Sequence, residues 1–382
     1  MHDIQPDVRS RFRGLGSLVE IALNGLATVQ FVWFYLIWVH SSLIPSRYEA
    51  GLEQTPYQTR VLMMFPLRWA HQSQGLNRFA EWLSTGKTAV WFDRGISAEG
   101  IVQAAIDVCS VVCIGLIARK LYDLASPRGI FRFAVYPLTL VMILATYGLS
   151  FTYHVRYFYD LPSVALFGAG LLLLYRRSNV LAFCAIFLIA TVNRETSLML
   201  LVFYALRLIL DYSGRYTSKR RLLVDITTIV AMAVAWGAWH VFITRHFAHN
   251  PTASMARWKN NVFLLLSPLS WPQLASTGAF MIPVIVLYRR YLTDRLLRTW
   301  LWGLAVWFVF MMIFGVIIEI RIYGELIPYL ACCTVLIAEA VVSEKLIAAI
   351  GEPNPMNELD FAPSGAAPER LKITGERSVF PR

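Results

Sequence analysis

Long apolar stretches separated by short polar segments run through most of the chain. We place them at 20–44, 100–118, 133–152, 161–175, 179–192, 197–212, 222–244, 273–288, 299–319 and 323–343. A helix needs about 20 apolar residues to cross the hydrocarbon core of a membrane, so the pattern predicts an all-α polytopic membrane protein with roughly ten transmembrane helices. The stretches at 161–175, 179–192 and 197–212 are short for a full crossing, which favours tilted or interrupted helices there.

One long connection, residues 45–99, follows the first span. Its apolar and aromatic side chains, such as Phe65, Trp69 and Trp82, suit helices that lie in the membrane interface. Residues 1–19 carry Arg9, Arg11 and Arg13 without a small-residue cleavage site, so we expect a retained cytoplasmic leader. Residues 346–382 are polar and proline-rich, and we expect a disordered cytoplasmic tail. Residues 20–345 would form the single transmembrane domain.

The composition agrees with a membrane protein. Hydrophobic residues make up 57% of the chain, charged residues 15%, and the mean hydropathy is +0.53; an average soluble domain is only about 45–50% apolar. The net charge of +11 comes mostly from short segments on one side of the predicted spans, so it indicates membrane orientation and no nucleic-acid partner. The five cysteines all lie in apolar stretches, which predicts buried thiols rather than disulfides or a metal site.

Basic residues predict the orientation. Clusters such as Lys219-Arg220-Arg221 fall on the side that also holds the N-terminus. Because Lys and Arg accumulate in cytoplasmic loops, both termini should be cytoplasmic. The opposite loops should then face the periplasm or the exterior.

Four short motifs on that opposite side combine arginine with a carboxylate. They are Glu49, Glu53, Tyr57 and Arg60 after the first span; Arg156 and Asp160; Asn193-Arg194-Glu195-Thr196; and Glu319-Ile320-Arg321 with Glu325. Charge at hydrocarbon depth is costly and is kept mainly where function requires it. We therefore expect these groups to gather in one water-filled cavity at the outer membrane surface.

Such groups can perform group-transfer chemistry, although each also has a structural interpretation. A carboxylate can accept a proton from an acceptor hydroxyl, and the planar guanidinium of arginine can hold a phosphate. Alternatively, Glu49 and Glu53 solvate an interfacial loop, and Arg156 pairs with Asp160 four residues on along a helix. The 193–196 motif is then only a helix-breaking turn. No glycine-rich nucleotide loop or metalloprotease motif is present.

The chain resembles the GT-C class of integral-membrane glycosyltransferases, particularly uncharacterised bacterial members. The resemblance is carried by the long first outer loop and by three strings: Pro56-Tyr57-Gln58-Thr59-Arg60-Val61-Leu62, Asn193-Arg194-Glu195-Thr196 and Glu319-Ile320-Arg321. It covers residues 20 to about 345, but the strings are short. The Asp-Glu or Asp-Asp pair that many members carry in this loop is missing here.

The resemblance implies transfer of a sugar from a polyprenyl-phosphate carrier to a lipid, glycan or protein acceptor on the outer face of a bacterial inner membrane. The implied base is Glu53, with Glu49 in reserve. The implied phosphate ligands come from Arg60, Arg156, Arg194 and Arg321. The other residues expected to bind substrate are Tyr57, Asp160, Glu195, Glu319 and Glu325.

Two other functions stay open from the sequence: an outer-leaflet polysaccharide polymerase or ligase, and a lipid or sugar transporter. The class contains metal-dependent and metal-independent enzymes, so a divalent cation also stays open. The scattered carboxylates form no recognisable cage and favour a metal-independent reaction. The sequence does not identify the sugar, the acceptor or the oligomeric state; membrane lipids are the other expected partners.

Overall fold

The computed structural model describes residues 6–85, 96–148, 155–213, 218–252 and 257–351. These residues are almost entirely helical. The fifteen helices of the described ranges are α1 (Pro6–Trp38), α2 (Pro45–Glu49), α3 (Met64–Gln72), α4 (Gln74–Ser84), α5 (Ala98–Ala125), α6 (Arg132–Ile143), α7 (Asp160–Arg176), α8 (Val180–Asn193), α9 (Met199–Ser213), α10 (Lys219–His246), α11 (Trp258–Leu266), α12 (Trp271–Ala275), α13 (Met281–Leu287), α14 (Arg295–Phe314) and α15 (Ile327–Gly351). A short parallel pair joins β1 (His40–Ser41) to β2 (Val155–Arg156).

Six helical segments of the described ranges are long and apolar enough to cross a membrane. They are Leu18–Trp38, Ala98–Ala125, Glu195–Ser213, Lys219–His246, Arg295–Phe314 and Ile320–Leu346. Arg132–Gly148 and Val180–Asn193 are shorter apolar helices. The prediction of a polytopic helical membrane protein is therefore confirmed in its coarse form, while the count of about ten spans and the orientation stay predictions.

The span predicted at 273–288 is not one helix. The chain forms two short helices there, α12 and α13. Between them Gly278, Ala279 and Phe280 adopt positive φ angles of 60°, 56° and 65°. A run of left-handed residues cannot continue a right-handed helix, so the apolar stretch folds into two pieces.

The predicted leader and tail are described only in part. α1 begins at Pro6, so most of the predicted 1–19 leader is helical and continues directly into the first span. Residues 1–5 lie outside the described residues, as do 352–382, which hold most of the predicted tail. The chain divides into two units at Ala340, and the described part of the second unit is the last portion of α15.

The described residues of the first loop form three helices, α2, α3 and α4, and their location in the membrane interface stays a prediction. Phe65, Trp69, Phe79 and Trp82 expose large apolar surfaces from α3 and α4. Residues 86–95 of this loop lie outside the described residues. Exposed aromatic side chains of this kind suit headgroup depth, where an apolar ring and a polar edge are both accommodated.

An aromatic cluster of Phe203, Trp300 and Tyr329 joins α9, α14 and α15. The Trp300 ring lies 5.7 Å from Phe203 and 6.0 Å from Tyr329, centroid to centroid. The Trp300 indole donates to the Phe203 carbonyl at 3.1 Å, and the Tyr329 hydroxyl donates to the Leu297 carbonyl at 2.8 Å. Edge-to-face aromatic packing with satisfied polar atoms fixes α9, α14 and α15 relative to one another.

Two interruptions of the helices bring charged residues together. α8 ends at Asn193, Arg194 is extended, and a tight turn over Glu195–Leu198 leads into α9. A second tight helical segment, Ile320–Leu326, precedes α15. The first interruption agrees with the broken helix predicted at 193–196.

Gly324 lies in the second interruption because no side chain fits there. A Cβ atom on Gly324 would lie 2.6 Å from Cζ of Tyr147, and Tyr147 is itself buried. The Tyr147 hydroxyl donates to the Arg321 carbonyl at 3.4 Å. The close approach therefore positions the segment that carries Arg321.

We expect Gly324→Ala to lower stability by about 1–3 kcal/mol, because it overpacks a buried contact. The measurement is SDS or thermal unfolding of the purified protein in detergent. Gly237→Ala on α10 is the matched control, since no atom lies within 4 Å of its added Cβ. Equal stability of the two variants would contradict the packing described at Gly324.

Candidate active site

A buried ion-pair network forms where the helices are interrupted. Nη1 of Arg194 lies 3.3 Å from Oε1 of Glu325 and 3.7 Å from Oδ1 of Asp160. All three residues are buried. The Thr196 hydroxyl also donates to Oε1 of Glu325 at 2.5 Å. Arg194 thus connects the end of α8 to the start of α7 and to the segment before α15.

Asp160 begins α7 and is fully buried. Its Oδ2 accepts the Tyr157 backbone N–H at 3.1 Å and lies 4.0 Å from Nη1 of Arg321. A carboxylate is favoured at a helix N-terminus by the helix dipole. Asp160 therefore draws two arginines from distant parts of the sequence towards one helix end.

Arg321 and Glu319 form a second pair in contact with this network. Nε and Nη2 of Arg321 both contact Oε1 of Glu319. The Arg321 guanidinium also lies 4.0 Å from the centre of the Tyr157 ring. The Tyr157 ring and the carboxylates of Glu319 and Asp160 together hold the Arg321 guanidinium in one orientation.

Arg60 and Glu195 form a third pair. Nε of Arg60 lies 3.0 Å from Oε2 of Glu195, and Nη1 donates to the Tyr159 hydroxyl at 2.7 Å. Burial by itself would lower the pKa of Arg60, but the Glu195 carboxylate, the Tyr159 hydroxyl and the Asp160 carboxylate together outweigh burial and raise that pKa above the ordinary value. Arg60 is therefore charged under all working conditions, and its fork is fixed by Glu195 and Tyr159.

Three tyrosines extend the site in a stack. The Tyr57 and Tyr157 rings lie 5.0 Å apart, and the Tyr157 and Tyr159 rings lie 5.3 Å apart. Burial raises the pKa of Tyr57 to about 12, so its hydroxyl is protonated at neutral pH. The stack offers an aromatic face and a hydroxyl donor beside the arginines.

These groups surround one cavity of about 300 Å³. The lining residues are Pro56, Tyr57, Arg60, Tyr157, Arg194, Glu195, Thr196, Trp236, His240, Arg257, Phe310, Met311, Phe314, Gly315, Val316, Glu319, Arg321 and Ile322. Phe310, Met311 and Phe314 give it an apolar wall at the end of α14. Four arginines and two glutamates in the lining give the cavity an excess of positive charge, and Asp160 and Glu325 are buried next to Arg194.

Most of the residues predicted from the sequence lie at this cavity. Tyr57, Arg60, Arg194, Glu195, Glu319 and Arg321 line it, and Asp160 and Glu325 support it from behind. Three predicted residues lie elsewhere: Glu49, Glu53 and Arg156. Each of the four motifs therefore contributes at least one residue that lines the cavity or supports it from behind, but not every residue predicted from a motif does so.

Glu53, the predicted base, serves a turn instead of the cavity. Its Oε1 accepts the Ile44 backbone N–H at 3.3 Å and lies 3.9 Å from Nε of Arg47. Its backbone carbonyl accepts the Asn250 side-chain amide at 2.6 Å. These contacts hold the loop in place. The geometry does not support a direct role for Glu53 as the base in this cavity.

Glu49 faces a separate group on α3 and α5, where Oε2 lies 3.9 Å from Nδ1 of His71. Burial raises the pKa of Glu49, and the nearby Glu99 carboxylate adds to the rise. Arg156 donates through Nε to the Val39 carbonyl at 3.0 Å. The expected helical pair of Arg156 with Asp160 does not form, because Arg156 belongs to β2 and only Asp160 belongs to a helix.

Sequence reasoning missed Trp236 and His240 on α10. Their rings stack at 5.2 Å, and the Trp236 indole donates to the Glu195 carbonyl at 3.0 Å. The available signal was a histidine four residues after a tryptophan within an otherwise apolar helix. Phe310, Met311 and Phe314 carried no such signal, because apolar residues on a membrane helix are expected everywhere.

Comparison of the chain with protein-family models, with curated proteins and with solved structures gives no match. The geometry and chemistry of the cavity are therefore the basis for assigning a function.

We expect Arg194→Ala to destabilise the protein by about 3–5 kcal/mol, because it leaves buried Glu325 without its arginine partner and buried Asp160 with Arg321 alone. SDS unfolding of the purified protein measures the loss. Arg245→Ala, at an exposed arginine of α10, is the control and should be nearly neutral. Adding Glu325→Gln to Arg194→Ala should recover part of the loss, and strict additivity would contradict the described pair.

Proposed function

We propose that the protein is a membrane-embedded glycosyltransferase that acts on a lipid-linked phosphosugar. The observation that supports this most is the convergence of Arg60, Arg194 and Arg321 on one cavity with an apolar wall. Guanidinium groups bind phosphate through paired N–H donors, and an apolar wall suits the chain of a lipid carrier. The cavity offers both surfaces to a single ligand.

The size and the aromatic lining fit a small sugar. A volume of about 300 Å³ is at the lower end for ligand sites, so it suits one sugar with its phosphate better than an extended glycan. Tyr57, Tyr157 and Trp236 present rings at the cavity. Aromatic rings pack against the apolar faces of sugars, while hydroxyl and carboxylate groups orient the sugar hydroxyls.

Glu319 is the best-placed base. Both contacts that Arg321 makes with it use Oε1, so Oε2 can accept a proton from a substrate in the cavity. Both oxygens of Glu195 are engaged, one by Arg60 at 3.0 Å and the other by Thr59 at 3.4 Å. We therefore assign proton acceptance to Glu319 and orientation of Arg60 to Glu195.

The reaction then requires few steps from the protein. An acceptor hydroxyl gives its proton to Glu319 while its oxygen attacks the anomeric carbon of the donor sugar. The bond from that carbon to the phosphate oxygen breaks, and the carrier phosphate leaves as an anion. Arg321 and Arg60 stabilise the negative charge that grows on the leaving phosphate. Positioning of the two substrates supplies the remainder of the rate enhancement.

We expect Glu319→Gln to reduce kcat for sugar transfer by about 10²–10⁴-fold, which is the usual contribution of a general base. The assay incubates purified protein with a panel of polyprenyl-phosphate sugars and follows release of polyprenyl phosphate. Glu53→Gln should lose far less activity, because Glu53 lies away from the cavity. A larger loss of activity in Glu53→Gln than in Glu319→Gln would instead assign the base to Glu53.

We expect Arg321→Gln to weaken donor binding by roughly 10–100-fold, because it removes a charge-assisted phosphate contact worth about 1.5–3 kcal/mol. Binding of a non-transferable polyprenyl-phosphate analogue measures this effect. Arg245→Gln, at an exposed arginine of α10, is the control. Wild-type protein that binds the donor but never turns it over would count against transfer and favour transport.

A further inference from the structure

A second group of chemically active side chains lies outside the cavity, in the first loop. Glu49 ends α2, His71 lies in the last turn of α3, and Glu99 lies in the first turn of α5. One ligand atom from each lies within 4.8 Å of the others. Nδ1 of His71 is 2.7 Å from Oε1 of Glu99 and 3.9 Å from Oε2 of Glu49.

Glu49 carries an unused oxygen in this group. The residue is only 6% exposed, and its Oε1 accepts no hydrogen bond from any residue of the described ranges. Arg68 lies nearby, but its described hydrogen bond goes to the Glu49 backbone carbonyl. A buried carboxylate oxygen without a partner is costly, and a bound cation would remove that cost.

We propose that Glu49, His71 and Glu99 bind a divalent transition-metal cation, with Zn²⁺ and Mn²⁺ as the best matches. Two carboxylates suit a hard divalent ion, and an imidazole nitrogen shifts the preference from Mg²⁺ or Ca²⁺ towards the first-row metals. Three protein ligands leave room for water in the coordination sphere. Nothing in this proposal depends on the reaction proposed for the cavity.

The present spacing is close to what a metal needs. Ligands about 2.0–2.2 Å from a tetrahedral ion lie roughly 3.4 Å from one another. The His71 to Glu99 distance of 2.7 Å must therefore open, and the His71 to Glu49 distance of 3.9 Å must close slightly. The His71 side chain is 62% exposed, so its ring can move without disturbing the packed interior.

A metal here would join α2 and α3 of the first loop to the start of α5 and support the cavity indirectly. The neighbour of Glu49, Tyr48, donates its hydroxyl to the Arg60 carbonyl, and the Gln58 amide donates to the Tyr48 carbonyl at 3.1 Å. The segment that carries Arg60 is thus bonded to the residue next to a metal ligand. The metal would therefore have a structural role, which is to hold the first loop in place. None of the three ligands lines the cavity.

The test is metal binding by the full-length protein in detergent. Chelator-treated protein is titrated with Zn²⁺, Mn²⁺ and Mg²⁺ by calorimetry, and bound metal is counted by mass spectrometry after dialysis. We expect one equivalent of Zn²⁺ or Mn²⁺ and much weaker Mg²⁺ binding. His71→Gln and Glu99→Gln should each weaken binding at least tenfold, whereas His249→Gln and Glu81→Gln, at exposed positions, should not.

A stability measurement provides the second readout. Zn²⁺ should raise the melting temperature of wild-type protein and leave that of His71→Gln unchanged, because a ligand that binds only the folded state stabilises it. Absence of stoichiometric binding, or equal binding by His71→Gln, would overturn the proposal. The group would then be an ion pair of a protonated His71 with the two carboxylates.

Discussion

The need to pair charge away from water organises this protein. Arg194, Asp160 and Glu325 are buried, and removing Arg194 would leave Glu325 without its arginine partner and Asp160 with Arg321 alone. The three residues come from the end of α8, the start of α7 and the segment before α15. Their pairing requires α8 to stop before Arg194 and the 320–326 segment to approach it. The interrupted helices are therefore a consequence of the ion pairs as well as their scaffold.

The site has a buried layer and an accessible layer. Asp160 and Glu325 hold guanidinium groups from behind, while Glu195 holds Arg60 and Glu319 holds Arg321 at the cavity, with side chains about one-fifth exposed at 22% and 20%. Arginines held in fixed orientations can meet a phosphate without reorganising, which is the condition for electrostatic stabilisation. The aromatic cluster around Trp300 keeps α9, α14 and α15 in register beneath this layer.

The convergence of the motifs could be predicted because charge is expensive in hydrocarbon, and the break at 193–196 could be predicted because Arg194 and Glu195 interrupt an apolar run. The role of individual carboxylates could not. Glu53 and Glu319 are both acids next to spans, yet one holds a turn through Ile44 and the other faces the cavity. Which of these two carboxylates faces the cavity depends on the path of the backbone around each of them. Likewise, the apolar stretch at 273–288 gives no sign of the left-handed residues that divide it.

The sequence alone determined the membrane-embedded helical class and the set of charged groups that must avoid lipid, because both follow from composition and from the spacing of polar residues. Only the tertiary structure decided which charges pair, which face the cavity and which belong to the separate group at Glu49, His71 and Glu99. Several of these pairings join residues more than a hundred positions apart, as with Arg60 and Glu195. Their geometry depends on helix packing and on sites such as Gly324, where a single missing side chain allows two segments to meet.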